Sequence, residues 1–229
     1  MIRPMAFIAG AGGAAGAAIC QSLRRRGYHI VAAGRNRDAL ATEVHGVADE
    51  LVEVDLTSAA SVNAQSAVLG EAEVLVYNAG RIDLVPLAET SPEMFRASWQ
   101  VNALGAFLCA RLAAPTMLAR GSGSMIFMGA TSSIRGGGRS HAFAASKHAL
   151  RGLAASLAKE LGPGGVHVSH LVIDGKIWGD RTRRRFPQAQ QAECIDPAAV
   201  GEAVAWLIEQ PRSAWTFEMD VRPYDERWS

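Results

Sequence analysis

Four glycines near the amino terminus have the spacing of a turn that can hold phosphate. Gly10, Gly12, Gly13 and Gly16 follow the apolar run at residues 5–9, which is typical of a buried parallel strand, and a helical pattern comes next. A strand, a glycine turn and a helix bring backbone N–H groups and the positive helix dipole to a pyrophosphate. A glycine cluster alone is also typical of a tight turn, so the assignment depends on the rest of the chain.

Two arginines follow the second apolar run, where a dinucleotide fold places the adenosine ribose. That run covers residues 29–33, and Gly34 separates it from Arg35 and Arg37. An Asp or Glu here would hold the ribose 2′-hydroxyl of NAD, whereas a guanidinium suits the 2′-phosphate of NADP. The sequence therefore favours NADP over NAD, with Arg35 as the phosphate ligand. The alternative is a pair of solvated loop arginines.

Further polar or small residues come directly after later apolar runs or within helical stretches. They are Asp55-Leu56, Asn78-Ala79-Gly80, Asn102 and Ser146-Lys147.

Strands and helices alternate along the whole chain. Strands are predicted at residues 5–9, 29–33, 51–54, 74–77, 124–128, 166–173 and 216–221. Helices are predicted at residues 14–26, 58–69, 92–118, 141–161 and 197–210, with a break in the third near Gly105 and capping residues at Ser91 and Asp196. This alternation predicts a Rossmann-type doubly wound parallel sheet of about seven strands, with helices on both faces, in a single domain covering residues 1–229.

Composition narrows the class of protein. Apolar residues make up 49% of the chain and the formal net charge is +1, so neither nucleic acid nor an acidic membrane surface is an expected partner. Cys20, Cys109 and Cys194 are far apart, which argues for free thiols and against a disulfide framework or a metal site. We find no signal peptide and no apolar window of the roughly 18 residues that a membrane span needs. We expect a cytoplasmic protein that acts on a small molecule.

The ordered motifs resemble those of the short-chain dehydrogenase/reductases over nearly the whole chain. The resemblance implies that the four glycines cradle the cofactor phosphates and that Asp55 and Leu56 contact adenine. It implies further roles for a second group: Asn78, Ala79 and Gly80 along the adenosine ribose, Lys147 on the nicotinamide ribose, and Asn102 on a water of the proton relay. Because the helix at residues 141–161 is apolar nearly all round, and pairs with its copy in the family, a homodimer or homotetramer is implied.

The chain departs from the family at the residues that handle the proton. Family enzymes use a serine to polarise the substrate oxygen, a tyrosine to transfer the proton and a lysine to lower the tyrosine pKa. The tyrosine position, four residues before Lys147, holds Phe143, and the usual serine position holds Ala130. Among the nearby hydroxyls Thr131, Ser132 and Ser133, we take Ser132 as the surviving catalytic serine.

Two more departures lie further along the chain. After the sixth predicted strand, Asp174-Gly175 replaces the family's Pro-Gly, and the threonine expected soon after it is absent, with Trp178 nearby. Near the end of the sequence, residues 221–228 replace the family's glycine-rich ending. Asp174, His141 and Tyr224 are candidate substitutes for the missing acid, and the alternatives are a turn residue, a capping residue and a solvated tail. Residues 181–185 carry four arginines in the region of the substrate lid. They bind a phosphate or carboxylate of a substrate or, as we prefer, form a solvated face or pair with acidic residues of a partner subunit.

Two functions fit these observations. The first is an NADP-dependent oxidoreductase with an atypical active site, which reduces a carbonyl with another acid or reduces an activated C=C bond. The second is a catalytically inactive NADP-binding sensor or assembly subunit. Phe143, Ala130 and Asp174 favour the second function, whereas retention of Lys147, Asn102 and the glycine turn fits either.

Overall fold

Seven parallel strands form one sheet in the order β3-β2-β1-β4-β5-β6-β7 in the computed structural model, which describes residues 3–226. The strands are β1 Met5–Ala9, β2 His29–Gly34, β3 Glu50–Glu53, β4 Val74–Tyr77, β5 Gly123–Met128, β6 Val166–Ile173 and β7 Glu218–Val221. The helices are α1 Gly13–Arg25, α2 Arg37–Glu43, α3 Ala59–Asn63, α4 Ser66–Glu71, α5 Pro92–Trp99, α6 Gly105–Arg120, α7 His141–Leu161, α8 Asp180–Arg185 and α9 Pro197–Ile208.

Helices cover both faces of the sheet, because the central strands are apolar on both faces. One buried cluster joins the sheet to α3, α4, α6 and α7, and a second cluster joins the opposite face to α1, α2 and α9. Every residue of β4 and β6 is buried. Such continuous apolar runs are typical of parallel strands between two helical layers. The predicted doubly wound parallel sheet is confirmed.

Most boundaries agree with the prediction, and the differences have local causes. The helix predicted at residues 58–69 is two short helices, α3 and α4. The third predicted helix contains a π-helical segment, Gln100–Leu104, immediately before the expected break at Gly105. Two short helices, α2 and α8, were not predicted, because helices of so few residues carry little periodic signal.

The run Pro92–Arg120 corrects one expectation, because by length and mean hydropathy (1.4) it passes the test for a membrane span. The run includes α5, the π-helical segment and α6. Half of its apolar window is buried inside the protein, and α6 packs on the sheet through Ala106, Cys109 and Ala113. A core helix of a soluble protein passes the same test, so the finding is weak evidence for a membrane.

Strand order brings the candidate site residues to one edge of the sheet. After β3 the chain returns to place β4 beside β1, so the strand order reverses at the β1–β4 junction. In open α/β sheets, ligands bind outside the carboxyl ends of the strands at such a reversal. The same row across the sheet contains Ala9, Tyr77, Phe127, His170 and Glu218.

Gly16 provides a test of the turn between β1 and α1. A Cβ added at Gly16 would overlap the carbonyl of Ala11, which is backbone and cannot turn aside. We expect Gly16→Ala to lower the free energy of unfolding by about 2 kcal/mol or more, measured by urea unfolding. The matched change Gly70→Ala in α4, where a Cβ meets nothing within 4 Å, should be neutral or stabilising. Equal effects of the two changes would contradict this close packing.

Candidate functional site

The glycine turn packs directly against the loop that follows β4. Gly10 has a φ of +82°, and a Cβ on it would lie 2.5 Å from the backbone nitrogen of Ala79. The Asn78 side chain donates from Nδ2 to the Gly10 carbonyl at 2.7 Å. The structure therefore brings together two of the motifs that the sequence analysis assigned to one cofactor.

The amino terminus of α1 presents N–H groups without a side-chain cap. Its N-cap is Gly12, and its first turn has no acidic residue. The Gly13 N–H donates instead to Glu43 Oε2 at 2.9 Å, from the end of α2. A Cβ at Gly12 would collide with the same carboxylate oxygen. A side-chain anion thus lies where a helix terminus can bind a ligand anion, and sequence reasoning missed Glu43 because nothing in its spacing points there.

The two arginines after β2 have different surroundings. Arg37 donates from Nη1 to the Leu51 carbonyl at 2.8 Å, which directs it towards β3. Arg35 is exposed, and its charge is one of the influences that lower the pKa of Asp55. The larger influence on that pKa comes from the backbone N–H and hydroxyl of Thr57, at 2.9 and 2.7 Å from Asp55 Oδ1. Of the two guanidinium groups, Arg35 is the one that makes no hydrogen bond among the described residues.

Lys147 is a buried cation at the carboxyl end of β5. Its side chain lies on α7, the residue is 5% exposed, and Nζ donates to the Met128 carbonyl at 2.6 Å. Burial lowers the pKa of Lys147 to about 8. The ring centroid of Phe143, one helical turn earlier, is 5.9 Å from Nζ, and a Cβ on Gly80 would be 3.9 Å away. Lys147 therefore faces the loop that also contacts the glycine turn.

Asn102 fixes that loop to α5 and α7. It is fully buried in the π-helical segment, a feature frequent at functional sites. Its Nδ2 lies 2.8 Å from the Arg81 carbonyl and about as close to the hydroxyls of Ser98 and Ser146, while Oδ1 accepts from the Arg81 N–H at 3.1 Å. Asn102 thus holds the backbone beside Gly80 in place next to Lys147.

The hydroxyl groups after β5 point in different directions. Ser132 is half-buried in the turn Thr131–Ser133. Ser133 is fully buried, and its Oγ accepts from the Ala130 N–H at 3.1 Å. Thr131 donates to Asp174 Oδ1 at 2.6 Å. Thr131 is also half-buried, but Asp174 engages its hydroxyl, whereas the Ser132 hydroxyl makes no hydrogen bond among the described residues. The catalytic role of Ser132 stays a prediction.

Asp174 is engaged on both carboxylate oxygens. It is 1% exposed, and its Oδ1 accepts from the Thr131 hydroxyl. Arg135 Nη2 donates to both carboxylate oxygens at 3.1 Å, and Arg222 Nη2 lies 3.1 Å from Oδ2. These contacts occupy both oxygens with the protein's own donors, so neither oxygen is directed at a substrate. Asp174 joins the loop after β5 to the segment after β7, and this geometry disfavours its predicted role as the substitute acid.

The three tyrosines and His141 have different surroundings. Tyr77 is fully buried and donates to the Val101 carbonyl at 2.5 Å, which is typical of a packing residue. Tyr28 packs against the opposite face of the sheet, and Tyr224 is 95% exposed. His141 is the first residue of α7 and is half-buried. Arg227 and Trp228, part of the unusual ending, lie outside the described residues.

The arginine-rich segment forms α8 and lies beside the start of α1. A Cβ on Gly179, just before α8, would be 2.8 Å from the Ala14 Cβ. Arg183 pairs with Asp180 within α8, and Arg185 donates to the Ile82 carbonyl at 3.2 Å. Arg181, Arg183, Arg184 and Arg185 are all exposed. Their exposure fits both a solvated face and an anion-binding lid, which stay predictions.

The residues present fit a pyridine dinucleotide. Close packing excludes side chains from Gly10 and Gly16, and the α1 terminus carries backbone N–H donors that suit phosphate, one of which binds Glu43 in this structure. Arg35 is free for a 2′-phosphate, and Lys147 can hold ribose hydroxyls. Among the described residues, no group of three His, Cys, Asp or Glu side chains is arranged to hold a metal.

Comparison with known proteins identifies the group of proteins that share these features. A family model described as short chain dehydrogenase matches residues 4–176. A short-chain dehydrogenase/reductase of Hericium erinaceus is 34% identical over 224 residues, covering 90% of this chain and 89% of that protein. A solved short-chain dehydrogenase from Rhodopseudomonas palustris superposes with a TM-score of 0.82 at 34% identity, covering 98% and 100% of the two chains. A metagenomic short-chain oxidoreductase solved with NADP is 27% identical, with a TM-score of 0.81 and 96% of each chain covered.

Lys147 links the site to stability. Burial places its folded-state pKa, about 8, below the unfolded value of 10.5, so the ammonium opposes folding at pH 7. We expect Lys147→Met to raise the free energy of unfolding at pH 7 by up to about 3 kcal/mol. Loss of the hydrogen bond to the Met128 carbonyl reduces this gain. This advantage should shrink as the pH rises from about 8 towards 10.5, because the folded wild type then sheds the buried charge before the unfolded chain does.

Urea unfolding of both proteins across this pH range measures the effect. Lys159→Met, at an exposed lysine of the same helix, is the matched control and should change the free energy of unfolding by less than about 0.5 kcal/mol. A Lys147→Met protein that is less stable than the wild type at every pH would contradict the prediction.

Proposed function

Because this chain belongs to the short-chain dehydrogenase family, an NAD(P)-dependent class of oxidoreductases, we propose that it is an NADP-dependent oxidoreductase with an atypical active site. The observation that carries the proposal is the buried ammonium of Lys147, which faces Gly80 at the edge of the sheet where the glycine turn also lies. Burial of this ammonium without a carboxylate partner costs folding free energy. Binding of ribose hydroxyls would explain why the protein has a lysine at this position.

The preference for NADP is supported by Arg35 and by one relative. Arg35 is exposed at the end of β2 and makes no hydrogen bond within the described residues, whereas Arg37 is bound to the Leu51 carbonyl. A similar metagenomic oxidoreductase was solved with NADP. When bound, the cofactor supplies the hydride. The glycines and the α1 terminus bind its phosphates, Asp55, Leu56 and residues 78–80 line its adenosine, and Lys147 orients its ribose.

The atypical feature is the residue one turn before Lys147. In this proposal Phe143 occupies the place of the family's tyrosine, so no phenol transfers the proton. Lys147 and Asn102 keep their positions, and Ser132 is the accessible hydroxyl that holds the substrate oxygen. Such a site suits two reactions: reduction of a carbonyl whose proton comes through water, or reduction of an activated C=C bond, where an enolate is held by hydroxyls and needs no phenol.

A second function is favoured by the same residue. A phenylalanine that is 8% exposed beside Lys147 also fits a protein that binds NADP and catalyses nothing, as a sensor or an assembly subunit. Measurement of NADPH-dependent turnover distinguishes the two functions, because a protein that only binds NADP shows no turnover.

The proposal includes the protein's surroundings. We propose a small-molecule substrate, no nucleic acid or membrane partner, and a cytoplasmic location. A homodimer or homotetramer is supported by exposed aromatic side chains on α5 and α6, namely Phe95, Trp99 and Phe107, which are 43–44% exposed. Large apolar side chains in one region of a surface commonly mark an interface.

Two charged residues should change cofactor binding in opposite directions. Arg35→Ser should weaken NADPH binding about tenfold or more, because it removes a charge-assisted hydrogen bond to the 2′-phosphate. Glu43→Gln should strengthen the binding of both NADPH and NADH, because it removes an anion from the α1 terminus, where the pyrophosphate common to both would bind. Fluorescence titration with both cofactors measures these effects, and NADH binding should change less than NADPH binding only for Arg35→Ser.

Arg37→Ser is the matched control, since Arg37 binds the protein's own backbone. Equally weak binding of NADPH and NADH by the wild type would contradict both the cofactor assignment and the enzyme proposal.

The missing phenol can be restored. If the chain is a reductase that lacks its usual acid, Phe143→Tyr should raise NADPH-dependent reduction of a carbonyl panel by about tenfold or more. Lys147→Ala should abolish turnover of the wild-type protein. Phe107→Tyr, at an exposed position of α6, is the control and should change nothing. A Lys147→Ala variant that turns over substrate at the wild-type rate would rule out the proposed role of the lysine.

A further inference from the structure

The arginine-rich helix α8 is fixed to the side of the cofactor site. Gly179, just before α8, has a φ of +156°, and a Cβ on it would lie 2.8 Å from the Ala14 Cβ in the first turn of α1. Only glycine therefore lets the two helices approach so closely. From the last position of α8, Arg185 donates to the Ile82 carbonyl at 3.2 Å, two residues after Gly80. Helix α8 thus lies between the glycine turn and the loop after β4, both of which we assign to the cofactor.

The four arginines of α8 differ in what they bind. Arg183 pairs with Asp180, the single acidic residue of the helix, and Arg185 holds the loop after β4. Arg181 and Arg184 are exposed and make no hydrogen bond or ion pair within residues 3–226. Two guanidinium groups of this helix are therefore available to a ligand.

Arg181 has the surroundings of a ligand-binding cation. It lies one helical turn before Arg185, so the two side chains share a face of α8. Because helical side chains lean towards the amino terminus of their helix, Arg181 covers the end of α8 that abuts Ala14. Partial burial lowers the pKa of Arg181, and the charge of Arg185 lowers it further. The two cations are thus close enough to repel each other, which costs stability unless an anion lies beside them.

The first turn of α1 provides complementary donors for such an anion. Its backbone N–H groups and the positive end of its dipole suit phosphate, and the Gly13 N–H already binds an anion, Glu43 Oε2, at 2.9 Å. Charge-assisted hydrogen bonds from a guanidinium also suit phosphate oxygens. A ligand with two linked phosphate groups, such as the pyrophosphate of a dinucleotide, can therefore bind the α1 terminus and an arginine of α8 together.

A substrate anion fits the position of α8 less well. The hydroxyl that we assign to the substrate, that of Ser132, lies in the turn Thr131–Ser133 after β5. Within residues 3–226, no hydrogen bond joins α8 to that turn, whereas the contacts of Gly179 and Arg185 lead to segments that we assign to the cofactor. In the sheet, β4 separates β5 from β1. The placement of α8 therefore favours the cofactor over a substrate as the ligand of Arg181.

We propose that Arg181 binds the pyrophosphate of the bound dinucleotide, and that α8 is part of the cofactor site. The inference rests on the proposed function, since it requires a dinucleotide at the carboxyl edge of the sheet. It gives two arginines separate roles. Arg35 recognises the 2′-phosphate that only NADP carries, whereas Arg181 recognises the pyrophosphate that NADP and NAD share.

Calorimetric titration of four ligands tests the proposal without any turnover. NADPH and NADH both carry the pyrophosphate, ADP-ribose carries it without a 2′-phosphate, and 2′-AMP carries the 2′-phosphate without a pyrophosphate. Arg181→Gln should weaken NADPH, NADH and ADP-ribose binding by a similar factor of about tenfold, because it removes a charge-assisted hydrogen bond. Binding of 2′-AMP should stay within about twofold, because salt screens the more distant charge. Arg35→Ser should weaken 2′-AMP and NADPH binding and spare ADP-ribose binding.

Arg183→Gln is the matched control, because it removes the same charge from the opposite face of α8, and it should change each affinity by less than about twofold. Arg181→Lys keeps the charge and should lose less affinity than Arg181→Gln. Unchanged dinucleotide binding by Arg181→Gln, equal losses in Arg181→Gln and Arg183→Gln, or a loss confined to NADPH and 2′-AMP overturns the proposal. Failure of the proposed function looks different, because the wild type itself would then bind NADPH and NADH equally weakly, which overturns both.

Discussion

The burial of one ammonium group at the carboxyl end of β5 is the constraint on which this site depends. Lys147 gives up hydration and receives one backbone carbonyl in return, which is why burial lowers its pKa to about 8. The surroundings hold this charge in place and do not neutralise it: no carboxylate lies within ion-pair distance of Nζ among the described residues. A charge kept in this way is available to a ligand that brings hydroxyl groups to it.

The segments around Lys147 are held in place by contacts with one another. Asn102 holds the backbone at Arg81 through both of its amide ends and contacts Ser98 and Ser146. Gly10 fits against Ala79, which joins the phosphate turn to the loop after β4. These contacts are buried hydrogen bonds and backbone-to-backbone approaches, so they hold the site more firmly than exposed ion pairs would. Function and fold thus share the same interactions.

Charge also organises the outer part of the site. The Asp174 carboxylate gathers Arg135 and Arg222, and Glu218 gathers Arg151 and His170. The first cluster ties the loop after β5 to the chain after β7. The second cluster ties β7 to α7 and leaves one imidazole nitrogen turned inward. The two clusters are built alike, but the second contains an imidazole, whose pKa burial lowers.

The sequence by itself determined the layout of the fold. Apolar runs at residues 5–9, 74–77 and 166–173 are long enough to specify buried strands, and the glycines after β1 specify the turn, because both signals are local. The position after the second strand named Arg35, whereas the resemblance to the short-chain dehydrogenase/reductases named Lys147 and Asn102. The tertiary structure alone decided what each group faces. The approach of Glu43 to Gly13 spans 30 residues, that of His170 to Glu218 spans 48 and that of Asp174 to Thr131 spans 43. Such contacts depend on strand order and register, which no periodicity encodes, so a histidine inside an apolar run was the only sequence sign of the second cluster.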